Sequence, residues 1–273
     1  MKPWLLCLFF LSSAVSVVSH AHDKTGQALY MANEAVMVSS GETRIMFDPF
    51  FATGFGTYAE VPGPMMAQVM AQQAPFDGVD AIFISHVHGD HFDGKKVHAY
   101  LQVNRTVKIY LPEQGASYLR EAAGEDGQIL ERIIAFALAE GDPPKIVSNE
   151  NLEIGAVRIP HSGWPTGRRD VNNIAFRVTL EGGVTVMHMG DADVNDVHYA
   201  LYDDHWQERA TDLAMPPYWM VTSRTGQKIL TQRLNVKEAI GIHVPKKRPM
   251  DLLLSGEDYF YEPGDTREIG TKE

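Results

Sequence analysis

The stretch that most constrains this chain is Asp80-Ala81-Ile82-Phe83-Ile84-Ser85, followed at once by His86-Val87-His88-Gly89-Asp90-His91. Its apolar run, bounded by Asp77-Gly78, reads as a short buried strand. Three of the chain's 11 histidines then fall within six residues. Residues i and i+2 of an extended or turning segment can project toward one point, and Asp90-His91 can curl round to a second. Imidazole and carboxylate donors suit zinc, and also manganese or iron(II), while the absence of cysteine from this stretch argues against a thiolate site.

The rest of the chain alternates strands and helices without a long linker or an obvious repeat. Ala35–Val38 and Thr43–Phe47 flank Ser40-Gly41-Glu42, which is turn chemistry, so a hairpin is expected. The segment Phe50–Tyr58 reads as a loop, its aromatics serving either as a flap or as core. Helices are expected over 65–73, 95–103, 113–123, 128–139, 194–206 and 226–233. Strands are expected over 107–111, 157–160, 174–180, 184–189, 213–215 and 239–242. Such a pattern implies an α/β protein with helix-covered sheets.

Further metal donors should sit at other strand ends. His161 follows Ala156-Val157-Arg158-Ile159-Pro160, Asp191 follows an apolar strand that runs out into Gly190, and His243 follows Glu238-Ala239-Ile240-Gly241-Ile242. Three strand-end donors in a chain already bearing the cluster read as ligands.

With Asp48, His86-Val87-His88-Gly89-Asp90-His91, His161, Gly190-Asp191 and His243 in this order, the sequence resembles the metallo-β-lactamase superfamily. The resemblance implies a four-layer αββα sandwich with a dinuclear site at one edge of the paired sheets. It makes His86, His88 and His161 ligands of one metal and Asp90, His91 and His243 ligands of the other, with Asp191 bridging. Asp48 becomes a supporting carboxylate for the histidine loop. The phrasing VMVSSGETRIMFDPFF, DAIFISHVHGDHFDG, PHSGW and VMHMGDAD is similar to the ascorbate-6-phosphate lactonase-like branch. That branch also includes relatives of N-acyl-phosphatidylethanolamine phospholipase D.

Two divalent ions, zinc first, could share a water, lower its pKa toward neutrality and hold it as hydroxide. Asp90 could orient that hydroxide or pass its proton on, with Asp191 as the bridge. The expected activity is hydrolysis of a lactone, ester or amide, with a phosphodiester as the alternative and metal binding without turnover as the non-enzyme alternative. Arg168, Arg169 and Lys246 form basic clusters near ligand positions, either to hold an anionic substrate or as a solvated loop.

Lys2, the apolar run Trp4–Val18 and Ser19-His20-Ala21 have the layout of a secretory signal peptide cleaved after Ala21. Residues 22–273 then form one exported domain, in periplasm or medium. Cleavage removes Cys7, the only cysteine, and losing Lys2 takes the formal charge from −11 to −12. Such an acidic surface repels nucleic acid and anionic membrane, which leaves a small-molecule substrate. No later segment has the roughly 20 apolar residues of a membrane span.

Overall fold

The computed structural model describes residues 25–270; the expected leader, with Cys7, lies outside the described residues. Among the described residues, thirteen strands form two sheets. In the first, β1 (Thr25–Ala32), β2 (Ala35–Ser40), β3 (Thr43–Phe47), β4 (Ala81–Phe83), β5 (Lys108–Pro112) and β6 (Ile133–Phe136) lie in chain order, with β13 (Thr266–Gly270) beyond β1. In the second, β7 (Lys145–Ser148), β8 (Leu152–Arg158), β9 (Ile174–Leu180), β10 (Thr185–His188), β11 (Thr211–Met215) and β12 (Val236–Ala239) do the same. Each sheet begins antiparallel and ends parallel: β1 to β3 are antiparallel and β3 to β6 parallel, while β7 to β10 are antiparallel and β10 to β12 parallel. The chain therefore repeats a topology that its sequence does not repeat visibly.

Period-two alternation assigns the layers. Val36, Val38, Ile45, Phe47, Ala81 and Phe83 pack with Ile154, Phe176, Val178, Val186 and Leu213 in one core between the sheets. The intervening Met37, Met46, Ile82 and Ile84 turn outward, onto helices α1 (Gly63–Met70), α2 (Gly94–Val103), α3 (Glu113–Ala123) and α4 (Gly127–Leu130). Across the molecule, Ala175, Met187 and Ala214 pack with residues of α5 (Val197–Ala200), α6 (Asp203–Gln207), α7 (Tyr218–Thr222) and α9 (Met250–Ser255), and with Ile229 and Leu230, which follow α8 (Arg224–Lys228). Three cores between four layers are the expected αββα sandwich. Among the described residues no helix is long and apolar enough to cross a membrane.

Three expected helices differ. The segment 128–139 splits into α4 and β6, because the Arg132 guanidinium between them is pinned by the carbonyls of Leu101, Asn104 and Val107. The β-branched Ile133-Ile134 pair then joins the edge of β5. The segment 194–206 breaks into α5 and α6. The Trp206 indole donates to the Tyr199 carbonyl at 2.9 Å, satisfying a backbone acceptor at the break while both rings are buried. The segment 226–233 starts earlier, where the Ser223 hydroxyl accepts from Gly226 N, and widens into a π-helical turn over Ile229–Arg233. Strands β1, β7 and β13 were not expected; β7 and β13 are edge strands, and β7 carries little of the apolar alternation that marks a strand.

Candidate metal centre

Five chain segments leave strand ends at one edge of the sandwich and supply the polar residues there. Asp48 follows β3, the His86–His91 turn follows β4, His161 follows β8, Asp191 follows β10 and His243 follows β12. Carboxyl ends of strands in covered α/β sheets are where ligands gather. The histidine turn is short because Asp93 ends it: its carboxylate accepts from Lys95 N and Lys96 N and caps α2. The carbonyl of Gly89 accepts from Ala52 N and Thr53 N, tying the turn to the loop after β3.

Hydrogen bonds set the rings. Asp48 accepts from Ser85 N at 2.7 Å, from Ser85 Oγ at 2.5 Å and from His91 Nδ1 at 2.9 Å. His86 Nδ1 lies 3.1 Å from the same Ser85 oxygen. His161 Nδ1 is 2.7 Å from the Ser162 carbonyl, which can only accept, so the hydrogen is on Nδ1. In all three rings Nδ1 is engaged and Nε2 is left to point into the site. Such outer partners fix the tautomer of a metal-ligating histidine.

The Nε2 atoms converge with Asp191. Its Oδ2 is 3.0 Å from His161 Nε2, while Oδ1 is 3.0 Å from His243 Nε2 and 3.5 Å from His91 Nε2. Two groups result: His86, His88, His161 and Asp191, and Glu34, His91, Asp191 and His243, each with its donor atoms within 4.8 Å of one another. Asp90 stands beside the second, its Oδ2 3.5 Å from His243 Nε2 and its Oδ1 3.9 Å from His91 Nε2. His91 Nε2, His243 Nε2 and Asp191 Oδ1 are buried without a hydrogen-bond partner. Buried polar atoms are nearly always satisfied, so unsatisfied donors converging at 3.0–3.5 Å fit a divalent cation between them.

Electrostatics agree with that fit. Burial pushes the His91 and His243 imidazoles down, yet Asp191, aided by Glu34 at His91 and Asp90 at His243, lifts both well above the ordinary histidine value. Burial raises Asp191, but His243 and His91 hold it well below the carboxylate range. His86 is lowered by burial and by His91. In the metal-free protein, protons on His91 and His243 thus occupy the role a cation would take, and a ligating imidazole must lose its proton. Loading metal near pH 7 should therefore release protons, and affinity should rise with pH until both rings are neutral. Calorimetry in two buffers of different ionisation enthalpy reads the release; identical heats would contradict it.

The sequence model of the β-lactamase superfamily domain matches residues 43–243. The chain belongs to the metallo-β-lactamase superfamily. Its fold is shared with Igni18, a metallo hydrolase of the hyperthermophilic archaeon Ignicoccus hospitalis, at 15% identity and TM-score 0.58, covering 91% of this chain and 100% of that one. A possible metal-dependent hydrolase of Veillonella parvula matches at 12% identity and TM-score 0.59, over 88% and 98% of the two chains. A variant of the CmlA β-hydroxylase of Streptomyces venezuelae matches at 12% identity and TM-score 0.51, over 90% of this chain and 54% of that one. A fold common to hydrolases and a hydroxylase leaves the chemistry to the site. No curated protein matches the chain.

Above this superfamily's metal edge lies a pocket of about 290 Å³, lined by Phe55, Tyr58, His88, Asp90, Arg168, Asp191 and His243. The loop 50–58 divides its aromatics between both expected uses. Phe50 and Phe51 are core, whereas Phe55 is 61% exposed at the mouth and Tyr58 sets its ring edge-on to His243, centroids 4.1 Å apart. The loop is fastened to the chain after His243 by the Tyr58–Pro245 bridge and by Lys246 N donating to Thr57 O. Of the basic residues, Arg168 reaches the pocket, its Nη1 3.5 Å from His161 Nε2. Arg169 does not line that pocket but a neighbouring crevice, which it shares with Glu140, Arg158, Trp164, His161 and Arg168, and Lys246 is exposed and is not among the pocket-lining residues. Trp219 packs near His243 with ring centroids 5.5 Å apart and donates to the Ala192 carbonyl, while Trp164 stands edge-on to His198.

Two buried residues had no sequence signal. Asn173 donates to the carbonyls of Ile159 and Met189 and accepts from Asp191 N, stapling the segments that carry His161 and Asp191. Glu34 sits with Asn33 in the turn between β1 and β2, beneath His91 and His243. Gly190 N donates to His188 Nδ1, so His188 Nε2 carries the hydrogen and donates to the Glu34 carbonyl at 3.0 Å.

Proposed function

We propose that this chain is an exported, dinuclear metal-dependent hydrolase that opens a lactone, ester or amide of a small anionic substrate, with zinc the first choice of metal. The observation that carries the reading is Asp191, which turns one carboxylate oxygen toward each of the two histidine groups. When bound there, a pair of divalent cations activates water and polarises the electrophilic oxygen. No protein nucleophile is then needed.

The chain's own residues supply the rest. His86, His88 and His161 hold one cation and His91, His243 and Asp90 the other. The Asp90 carboxylate also borders the pocket, and His243, against the opposing effect of burial, keeps it below its ordinary pKa and so ionised. There it can accept the proton lost by attacking water and return it to the leaving oxygen or nitrogen. Phe55 and Tyr58 narrow access for solvent, and Arg168 offers a fork of donors to an anionic group held against the metal edge.

Manganese or iron(II) suits the same nitrogen and oxygen donors. The likeness of the motifs to the ascorbate-6-phosphate lactonase-like branch supports a lactone; the Arg168 cation would equally serve a phosphodiester, which remains the second reading. Replacing Arg168 by Met should raise KM for anionic substrates by roughly tenfold or more, the worth of one charge-assisted contact, and leave neutral analogues alone. The same change at Arg169 should do little. Steady-state kinetics on matched charged and neutral esters tests this, and equal losses on both would remove the anion contact from the account.

A further inference from the structure

Glu34 is 0% exposed, and neither of its carboxylate oxygens has a hydrogen-bond partner. A buried carboxylate left unpaired costs several kcal/mol, and a two-residue hairpin turn has no need of one. Burial raises the Glu34 pKa well above the ordinary carboxylate range, with His91 only partly offsetting it, and no neighbour donates a hydrogen bond to the carboxylate. His188 Nε2 is 3.4 Å away but already donates its hydrogen to the Glu34 carbonyl, and Gly190 N occupies its other nitrogen. His91 Nδ1 is 3.6 Å away but gives its hydrogen to Asp48. The carboxylate nevertheless groups with His91, Asp191 and His243, all four donor atoms within 4.8 Å of one another, and it also groups with Asp48 and His188.

From this convergence we infer that Glu34 is a further carboxylate donor of the metal centre, supplied by the β1–β2 turn to the buried side of the His91, Asp191 and His243 group. The turn is built to deliver it. Asn33 has φ +52, its carbonyl accepts from His243 N at 3.1 Å and its side-chain amide donates to the Asp90 carbonyl at 2.9 Å. The turn is thereby tied to the chain at two members of that subsite. Glu34 adds negative charge and an oxygen ligand where His243 and His91 supply only nitrogen. It binds metal and lies below the pocket wall, out of reach of substrate.

The inference rests on the metal-centre reading, and metal binding rather than turnover separates the two. Metal-free wild type and Glu34→Gln would be titrated with Co(II), following heat and the visible absorption bands, beside thermal melting of the metal-free proteins. Wild type should take up two equivalents. In E34Q the second equivalent should bind about 10–100-fold more weakly with altered bands, the first should shift by less than about threefold, and the metal-free melting temperature should not fall. An E34Q titration and spectrum identical to wild type would overturn the role of Glu34 alone, as would parallel loss of both equivalents with a lower metal-free melting temperature. Fewer than two equivalents in wild type would instead overturn the dinuclear reading. Should E34Q fail to fold, Glu34→Asp keeps the charge but withdraws the oxygen; it too should weaken the second equivalent, and wild-type affinity in it would count against the inference.

Discussion

Replacing Asp191 with Ala should leave a folded protein that binds at most one metal tightly and turns over roughly 10²- to 10⁴-fold more slowly than wild type. The magnitude follows from the geometry. The two carboxylate oxygens face separate histidine groups, and each contact between charged partners is worth about 1.5–3 kcal/mol. The fold should survive because the backbone N–H of residue 191 still donates to Asn173, and Ser162 N still donates to its carbonyl. Metal stoichiometry by elemental analysis, paired with kcat/KM, checks both halves. Two bound metals with full turnover would remove Asp191 from the centre of the account.

Replacing Gly190 with Ala should be nearly as damaging for activity, and more so for stability. Gly190 has φ +53, and a Cβ there would lie 2.3 Å from Asn173 Oδ1 and 2.7 Å from Ser85 Cβ. Both neighbours are fixed: Asn173 staples two strand ends, and Ser85 donates to Asp48. The left-handed backbone costs an alanine about 1–2 kcal/mol and the overpacking a further 1–3 kcal/mol. For a domain of this size the sum lowers the melting temperature by roughly 5–15 °C. Gly41→Ala is the control, since Gly41 has φ +57 with nothing within 4 Å of its added Cβ. It should carry the backbone strain alone. Equal melting temperatures for the two variants would show that the close approach at Gly190 is unimportant.

How much of this was legible beforehand differs residue by residue. The His86–His91 turn was readable because its donors are adjacent in sequence and begin where an apolar strand stops. His161 and Asp191 were readable for the same local reason, each shortly after a strand. His243 was expected directly after a strand over 239–242, whereas β12 spans Val236–Ala239 and ends four residues before it; the fold brings all three to one edge. Glu34 was not, because Asn-Glu between two apolar runs is ordinary hairpin chemistry, and nothing local says that the turn is buried. Asn173 was hidden likewise, as one polar residue before a strand. Arg168, Arg169 and Lys246 looked alike as charges near ligands; loop conformation, with φ +58 at Arg168, carries the first to the pocket. In the fold, the layered α/β plan followed from buried apolar runs. The helix expected over 128–139 failed because Arg132 finds three carbonyls belonging to another part of the chain.

The central claim is metal-dependent hydrolysis at the Asp191-bridged site. It is tested most directly by following acid release from a panel of charged and neutral lactones by protein spanning residues 22–273, loaded with zinc, with and without a chelator. The account predicts acid release that the chelator abolishes and added metal restores. Acid release indifferent to the chelator, or none from lactones, esters, amides and phosphodiesters by protein that holds two metals, would contradict it.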